Sequence, residues 1–201
     1  MLVLASASPR RQELLRNAGI KFAVQPANID EAPRSGESPR NCAERLAREK
    51  ALAVFQDQPQ NFVLGADTIV VVDGVFLGKP SDANDAARML RLLSGRTHSV
   101  ITGICLVSPV VRDRESKTRG EPGTDGAART ASETTLVTMS RISDDEIRDY
   151  VATGEPMDKA GAYAIQGQAS RWILRIEGDY GNVVGLPVSR VYAMLREQGA
   201  M

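Results

Sequence analysis

The sequence predicts a mixed-sheet α/β domain. Apolar runs of strand length alternate with helical segments, and serine–proline and capping-box signals mark the helix starts. Asp73-Gly74, set between two valine-containing runs, adds an antiparallel hairpin to a pattern that otherwise interleaves strands with helices.

Leu2 to Ala5 is a short apolar run that reads as a buried strand. Ser8-Pro9 supplies an N-cap followed by proline at the first helical position, and the helix carries Leu14, Leu15 and Ala18 before Gly19 stops it. Residues 21–25 read as a second strand, and residues 26–37 as a loop holding Asp30 and Glu31. Ser38-Pro39 repeats the cap signature and opens a longer helix that runs to Gln56. Asn61 to Val72 is the strongest strand signal, turned by Asp73-Gly74 into Val75 to Leu77. A helix from Pro80-Ser81 through Leu93, closed by Gly95, leads into a strand over 97–107. Residues 108–132 are rich in Gly, Ser, Thr, Arg and Asp and lack periodicity, so they read as a mobile loop. A strand over Glu133 to Arg141 precedes a helix whose capping box is Ser143 with Glu146 and which ends near Gly154. Tyr163 to Ile165 and Trp172 to Ile176 read as strands, and Gly178 to Gly185 as a loop. A final helix from Pro187 shows Val188, Val191, Tyr192 and Leu195 on one face.

The 201 residues form one generous domain at roughly 150 residues per domain. The charges balance, 25 Lys and Arg against 25 Asp and Glu, which removes any electrostatic reason to bind duplex nucleic acid or an anionic membrane. No stretch approaches the roughly 18 apolar residues of a membrane span, and no targeting segment is evident. Cys42 and Cys105 are too few for a disulfide framework and point to a reducing compartment, so the expected location is the cytoplasm. The single histidine, His98, excludes a multi-histidine metal cage and argues against a Ser-His-Asp triad. It reads instead as a surface or packing residue. Catalysis must then come from carboxylates, from Lys or Arg, or from a metal held by oxygen.

Three places put charge where plain structure would not want it. In Ser6-Ala7-Ser8-Pro9-Arg10-Arg11, both arginines fall in the first helical turn, where the macrodipole disfavours cations. Either they are solvated beside an ordinary capped helix, or an anion bound at the free N–H groups reverses the cost. Lys50 falls in the middle of the apolar stripe formed by Cys42, Ala43, Leu46, Ala47, Ala53 and Val54, at about 100° per residue. It either snorkels past its neighbours or points its ammonium into an internal cleft. Asp67 interrupts Phe62 to Val72 and reads either as a strand break capping a turn or as a metal-assisted acid or base, since an unpaired buried carboxylate is costly.

Further segments are weaker alone: Gly78-Lys79-Pro80, Leu93-Ser94-Gly95-Arg96-Thr97-His98, Asp158-Lys159-Ala160-Gly161-Ala162-Tyr163, Ile165-Gln166-Gly167, and Asn182-Val183-Val184-Gly185-Leu186-Pro187. Taken in order with Leu4 to Arg11, Arg48-Glu49-Lys50-Ala51 and Gly65-Ala66-Asp67-Thr68, they cover nearly the whole chain and resemble the Maf family of nucleoside triphosphate pyrophosphatases. The resemblance implies an elongated mixed sheet with flanking helices, as in inosine triphosphate pyrophosphatases, with two lobes around a cleft. It implies hydrolysis of a nucleoside triphosphate to monophosphate and pyrophosphate with a divalent metal, and a homodimer. Arg10, Thr68 and Gln166 match members acting on dTTP and UTP, whereas the 7-methyl-GTP subgroup tends to carry Trp, Gln and Glu there. The 108–132 segment is the departure, being longer than the resemblance implies.

On this reading Asp67 binds the metal and accepts the proton of the attacking water, with Glu31 as a second carboxylate. A hard, oxygen-ligated ion such as Mg²⁺ or Mn²⁺ suits a chain without a histidine cluster. Arg10, Arg11, Lys50 and Lys79 grip the triphosphate, with Ser6, Ser8 and the helix N-terminus adding donors. Gln166 and Thr68 read the base, an amide being able to pair with both a carbonyl and an N–H. The rival readings are a nucleotide-binding regulator of septum formation with incidental hydrolysis, a 7-methyl-GTP pyrophosphatase, and a pyrophosphatase for modified pyrimidine nucleotides.

Overall fold

The computed structural model describes residues 1–109 and 127–201. The chain starts with β1 (Leu2–Leu4), α1 (Pro9–Asn17), β2 (Phe22–Val24) and α2 (Pro39–Asp57). The hairpin β3 (Phe62–Val72) and β4 (Val75–Leu77) follows, then α3 (Ala83–Leu93), β5 (Thr97–Val107) and β6 (Ala128–Met139). α4 (Asp144–Ala152), β7 (Ile173–Glu177), α5 (Tyr180–Val184) and α6 (Val188–Glu197) complete it, with short 3₁₀ turns between α4 and β7. Both serine–proline starts are as the sequence predicts: Ser8 and Ser38 accept the N–H of Arg11 and Asn41. The Ser143–Glu146 capping box is complete, and Asp73 and Gly74 both take positive φ, as a tight two-residue hairpin turn demands.

All seven strands join one mixed sheet in the order β2-β1-β3-β5-β6-β7, with β4 also on β3. β1 pairs parallel with β2 and β3, and every other pairing is antiparallel. At one end α2 covers one face, packing Ala47, Ala51, Val54 and Phe55 on Val3, Val63, Cys105 and Val107. α1 and α6 cover the other, with Leu15, Val191 and Leu195 on Leu4, Leu64, Ile104 and Leu106. At the far end of the same strands Val70, Val72, Val100 and Val137 pack under α3 and α4 through Leu90, Leu93 and Ile147. Two lobes are thus built on shared strands. Among the described residues no helix is long and apolar enough to cross a membrane.

Several boundaries differ from the sequence reading, each for a local reason. Residues 128–132 are not loop but the first part of β6, because Ala128 to Ser132 pair in register with Val107 to Gly103. Their polar side chains fit a half-exposed strand, and the ladder supplies the stabilisation that composition does not suggest. Residues 110–126 of the expected mobile loop lie outside the described residues. The third helix starts at Ala83 rather than Pro80, since Asp82 caps it by accepting Asp85 N at 2.8 Å. Tyr163 to Ile165 is not a strand. Gly161 and Ala162 take positive φ just before it, and Ala164 N bonds a tyrosine hydroxyl instead of a neighbouring strand. Gly178 to Gly185 is not all loop, because Asp179 caps the short helix α5. Tyr192 lies off the buried face of α6 and is 45% exposed.

Candidate active site

The site sits where one edge of β3 is left open. β1 pairs with Phe62–Leu64 and β4 with Val70–Val72, while β5 occupies the opposite edge throughout. Between β1 and β4, residues 65–69 have no strand on the open side, so side chains from both faces of β3 reach one cleft of about 690 Å³. All ten residues singled out in the sequence line it: Ser6, Ser8, Arg10, Arg11, Glu31, Lys50, Asp67, Thr68, Lys79 and Gln166.

Asp67 is not a strand break. It lies within continuous β3, opposite Gly103 of β5, on the face that α2 covers. Gly65 and Gly103 explain how α2 comes so close. A Cβ on Gly65 would overlap the Ala47 carbonyl oxygen, and one on Gly103 would overlap that of Ala43. The helix rides on two missing side chains and lowers Lys50 onto Asp67. Lys50 therefore turns inward rather than snorkelling: its Nζ lies 2.6 Å from Asp67 Oδ1 and 2.6 Å from Glu31 Oε1. The lysine and the aspartate are both buried, whereas the Glu31 side chain is 48% exposed and closes the group from the solvent side. Burial pushes the Glu31 carboxyl up, but the Lys50 hydrogen bond and the charges of Lys50, Lys79 and Arg11 outweigh it and hold the group below its ordinary value.

The loop that carries Glu31 is fastened to α2. Arg45 donates to both carboxylate oxygens of Glu37, at 2.7 and 2.8 Å, and also to the Ala32 carbonyl. The Arg45 hydrogen bonds outweigh burial and bring the Glu37 carboxyl down to about 2.

On the other face of β3, Arg11 is buried and turned into the protein. It donates to Gly185 O at 2.8 Å, Ala66 O at 2.9 Å, Thr68 Oγ1 at 3.0 Å and Ser6 Oγ at 3.1 Å. A guanidinium has five N–H donors, so about one remains for a ligand. Thr68 is similarly engaged: its hydroxyl contacts Thr102 Oγ1 at 3.0 Å, and Thr102 donates to Asn182 O. With Thr102's hydrogen spent on Asn182, the Thr68 hydrogen turns to protein oxygens and leaves only acceptor capacity toward the cleft. Arg11 and Thr68 thus frame the cleft more than they reach into it.

The cations with freedom are elsewhere. Lys79 is exposed on the Gly78–Pro80 turn, and Arg10 pairs across the cleft with Asp158 at 2.9 Å. Asp158 also meets Lys159 at 2.5 Å. Ser6 Oγ accepts from Arg11 and from Ser8 N, which leaves its own hydrogen unspent. Gln166 is exposed on a turn at the far wall. Among the described residues no group of three or more His, Cys, Asp or Glu could hold a metal, and the carboxylates available are the pair Asp67 and Glu31.

The sequence reading missed the partners that orient these groups: Thr102 and Asn182 behind Thr68, and Asp158 opposite Arg10. Asp158 and Asn182 each carried a signal, as part of the Asp158-Lys159 and Asn182 to Pro187 segments, whereas Thr102 carried none. His98 is buried, and its Nε2 meets Tyr163 Oη at 2.8 Å. Both cysteines are buried and free.

The profile of a family described as Maf-like protein matches residues 1–198. A protein of Koribacter versatilis (strain Ellin345) named dTTP/UTP pyrophosphatase is 56% identical over 200 residues, covering 100% of this chain and 95% of that one. Proteins of the same name from Geobacter sp. (strain M21) and Syntrophomonas wolfei are 52% and 50% identical, over 100% and 98% of this chain and 96% of each relative. Among solved structures, a nucleoside-triphosphatase / dITP/XTP pyrophosphatase from Mycobacterium abscessus aligns with a TM-score of 0.42 at 17% identity, over 70% of this chain and 75% of that one.

Proposed function

The chain belongs to the Maf family, and from that premise we propose that it hydrolyses dTTP and UTP to the monophosphate and pyrophosphate. The observation that carries the reading is the pair of carboxylates, Asp67 and Glu31, drawn onto Lys50 at the open edge of β3. Both are acceptors facing a cleft whose other walls offer Arg10, Lys79, the Ser6 hydroxyl and an amide.

Asp67 accepts the proton of a water whose oxygen bonds to phosphorus at the α–β bridge, and pyrophosphate leaves as that bridge breaks. Lys50, 2.6 Å from Asp67 Oδ1, holds that carboxylate in place at the open edge of β3. Arg10 and Lys79 hold the phosphates, Arg10 exchanging Asp158 for a phosphate oxygen. Arg11 and Thr68 keep the wall rigid, and Gln166 pairs with the carbonyl and N–H of the pyrimidine. Asp67 and Glu31, whose oxygens are the hard donors that a divalent cation takes, would hold one at the cleft. When bound, such an ion lowers the pKa of water and offsets phosphate charge. The family resemblance extends the reading to a cytoplasmic homodimer.

A screen of pyrophosphate release over dTTP, UTP, CTP, GTP and 7-methyl-GTP tests it. The expected result is activity on dTTP and UTP with Mg²⁺ or Mn²⁺ and none in excess chelator. Activity confined to 7-methyl-GTP overturns the substrate assignment.

A further inference from the structure

The turn that carries Gln166 is held at both ends by residues outside the cleft lining. Gly167 N donates to Ala164 O at 3.1 Å and closes the turn. At its start, Ala164 N donates to Tyr150 Oη at 3.3 Å. At its end, Gln168 N donates to the Glu155 carboxylate, 3.1 Å from Oε1 and 3.3 Å from Oε2. The two anchors are one unit, because Tyr150 Oη donates to Glu155 Oε1 at 2.8 Å.

This unit has little freedom. Tyr150 is fully buried in α4, with its ring edge-on to Trp172 at 5.2 Å between centroids. Lys159 Nζ donates to the Glu155 carbonyl at 2.5 Å. Gly167 lies directly against the carboxylate, where a Cβ would overlap Glu155 Oε1. Burial raises the Tyr150 hydroxyl pKa, and the bond to Glu155 raises it further, so the phenol remains the donor of the pair.

We propose that Glu155 and Tyr150 are positioning residues for base selection, together holding the Ala164–Gln168 turn in the conformation that presents the Gln166 amide to the nucleobase. The inference rests on the proposed role of Gln166 in reading the base. An amide discriminates only when a mismatched base leaves it unpaired, and that requires a fixed backbone beneath it. Released from the clamp, the turn lets the amide follow whichever base enters.

The test uses the full chain with Glu155→Ala, Glu155→Gln and Tyr150→Phe. Three quantities are measured: kcat/KM for dTTP and CTP, inhibition by inorganic tripolyphosphate, and hydrogen exchange of the 164–168 amides. CTP shares the pyrimidine ring with dTTP but reverses the hydrogen-bonding edge, and because its 2′-hydroxyl and missing 5-methyl are the same for every variant, the change in the ratio between variants reads pairing. Glu155→Ala is expected to speed exchange at Ala164 and Gln168 and to lower the dTTP-over-CTP preference about tenfold, chiefly through KM, with tripolyphosphate inhibition unchanged. Glu155→Gln, whose amide oxygen can replace Oε1, recovers most of the preference. Tyr150→Phe shows the same shift in smaller measure, and it decides the matter if Glu155→Ala does not fold. Unchanged exchange in the Glu155 variant overturns the clamp without reference to any substrate. Faster exchange with unchanged preference, or an equal loss for dTTP, CTP and tripolyphosphate, overturns the role in selection. A wild-type chain that hydrolyses no nucleotide defeats the functional reading instead. The comparison then moves to calorimetric binding of dTTP and CTP, where an affinity ratio equal in wild type and variant overturns the inference.

Discussion

Lys50 Nζ bridges two carboxylates from different elements, Asp67 of β3 and Glu31 of the preceding loop, at 2.6 Å each. Removing the cation leaves two like charges facing each other in a partly buried site. Lys50→Met is expected to cost about 3 kcal/mol at neutral pH, within the range for breaking a buried pair. The gap to wild type should narrow as pH falls and Glu31, held low in the wild type by Lys50, protonates. Urea unfolding at pH 7.5 and pH 4.5 checks both parts, and a gap that widens with acid would contradict the arrangement.

Asp67→Asn keeps the shape and the strand but removes the proton acceptor. Pyrophosphate release should fall by about 10²–10⁴, the usual contribution of a general base, while dTTP binding by calorimetry changes little. Release at the wild-type rate would remove Asp67 from the chemistry.

Gly65→Ala and Gly103→Ala each drive a methyl into the backbone of α2. Overpacking of this kind costs about 1–3 kcal/mol, and here it also lifts Lys50 away from Asp67. Both variants should lose stability and kcat together. Gly78→Ala is the stability control, because nothing lies within 4 Å of its added Cβ and its φ is not positive.

His98 should make the fold acid-sensitive. Burial lowers its pKa to about 4, its Nε2 is taken by Tyr163, and Nδ1 has no protein partner among the described residues. The folded state favours the neutral ring, so this contribution is complete above about pH 6.5, the unfolded value, and is lost as pH falls toward 4. At most about 3 kcal/mol is involved, by the energy of a pKa shift of this size. Denaturant midpoints across that window, compared with His98→Asn, should show the wild type falling more steeply.

Much of this was legible because it is local. The serine–proline caps, the capping box and the Asp73-Gly74 turn are written in adjacent residues, and each marks its element. Lys50 and Asp67 stood out because each violates the apolar pattern around it, and the violation is resolved by their meeting. What was not legible depends on atoms without a sequence signature. The carbonyls of Ala66 and Gly185 turn Arg11 inward, and any residue could have supplied them. Residues 128–132 become strand through their partners in β5, not through their own composition. Gly65 and Gly103 read as small residues until the helix above them is known.

β3 and β5 run without interruption from the core beneath α1 and α6 to the core beneath α3 and α4. Among the described residues, β3 and β5 therefore join the two halves of the cleft without a flexible joint. Movement of one lobe against the other is absorbed as elastic bending of paired strands, whereas the loop and turns that carry Glu31, Lys79 and Gln166 can shift by themselves. The cleft behaves like the jaws of a one-piece spring, and loosening either core softens the grip of the other.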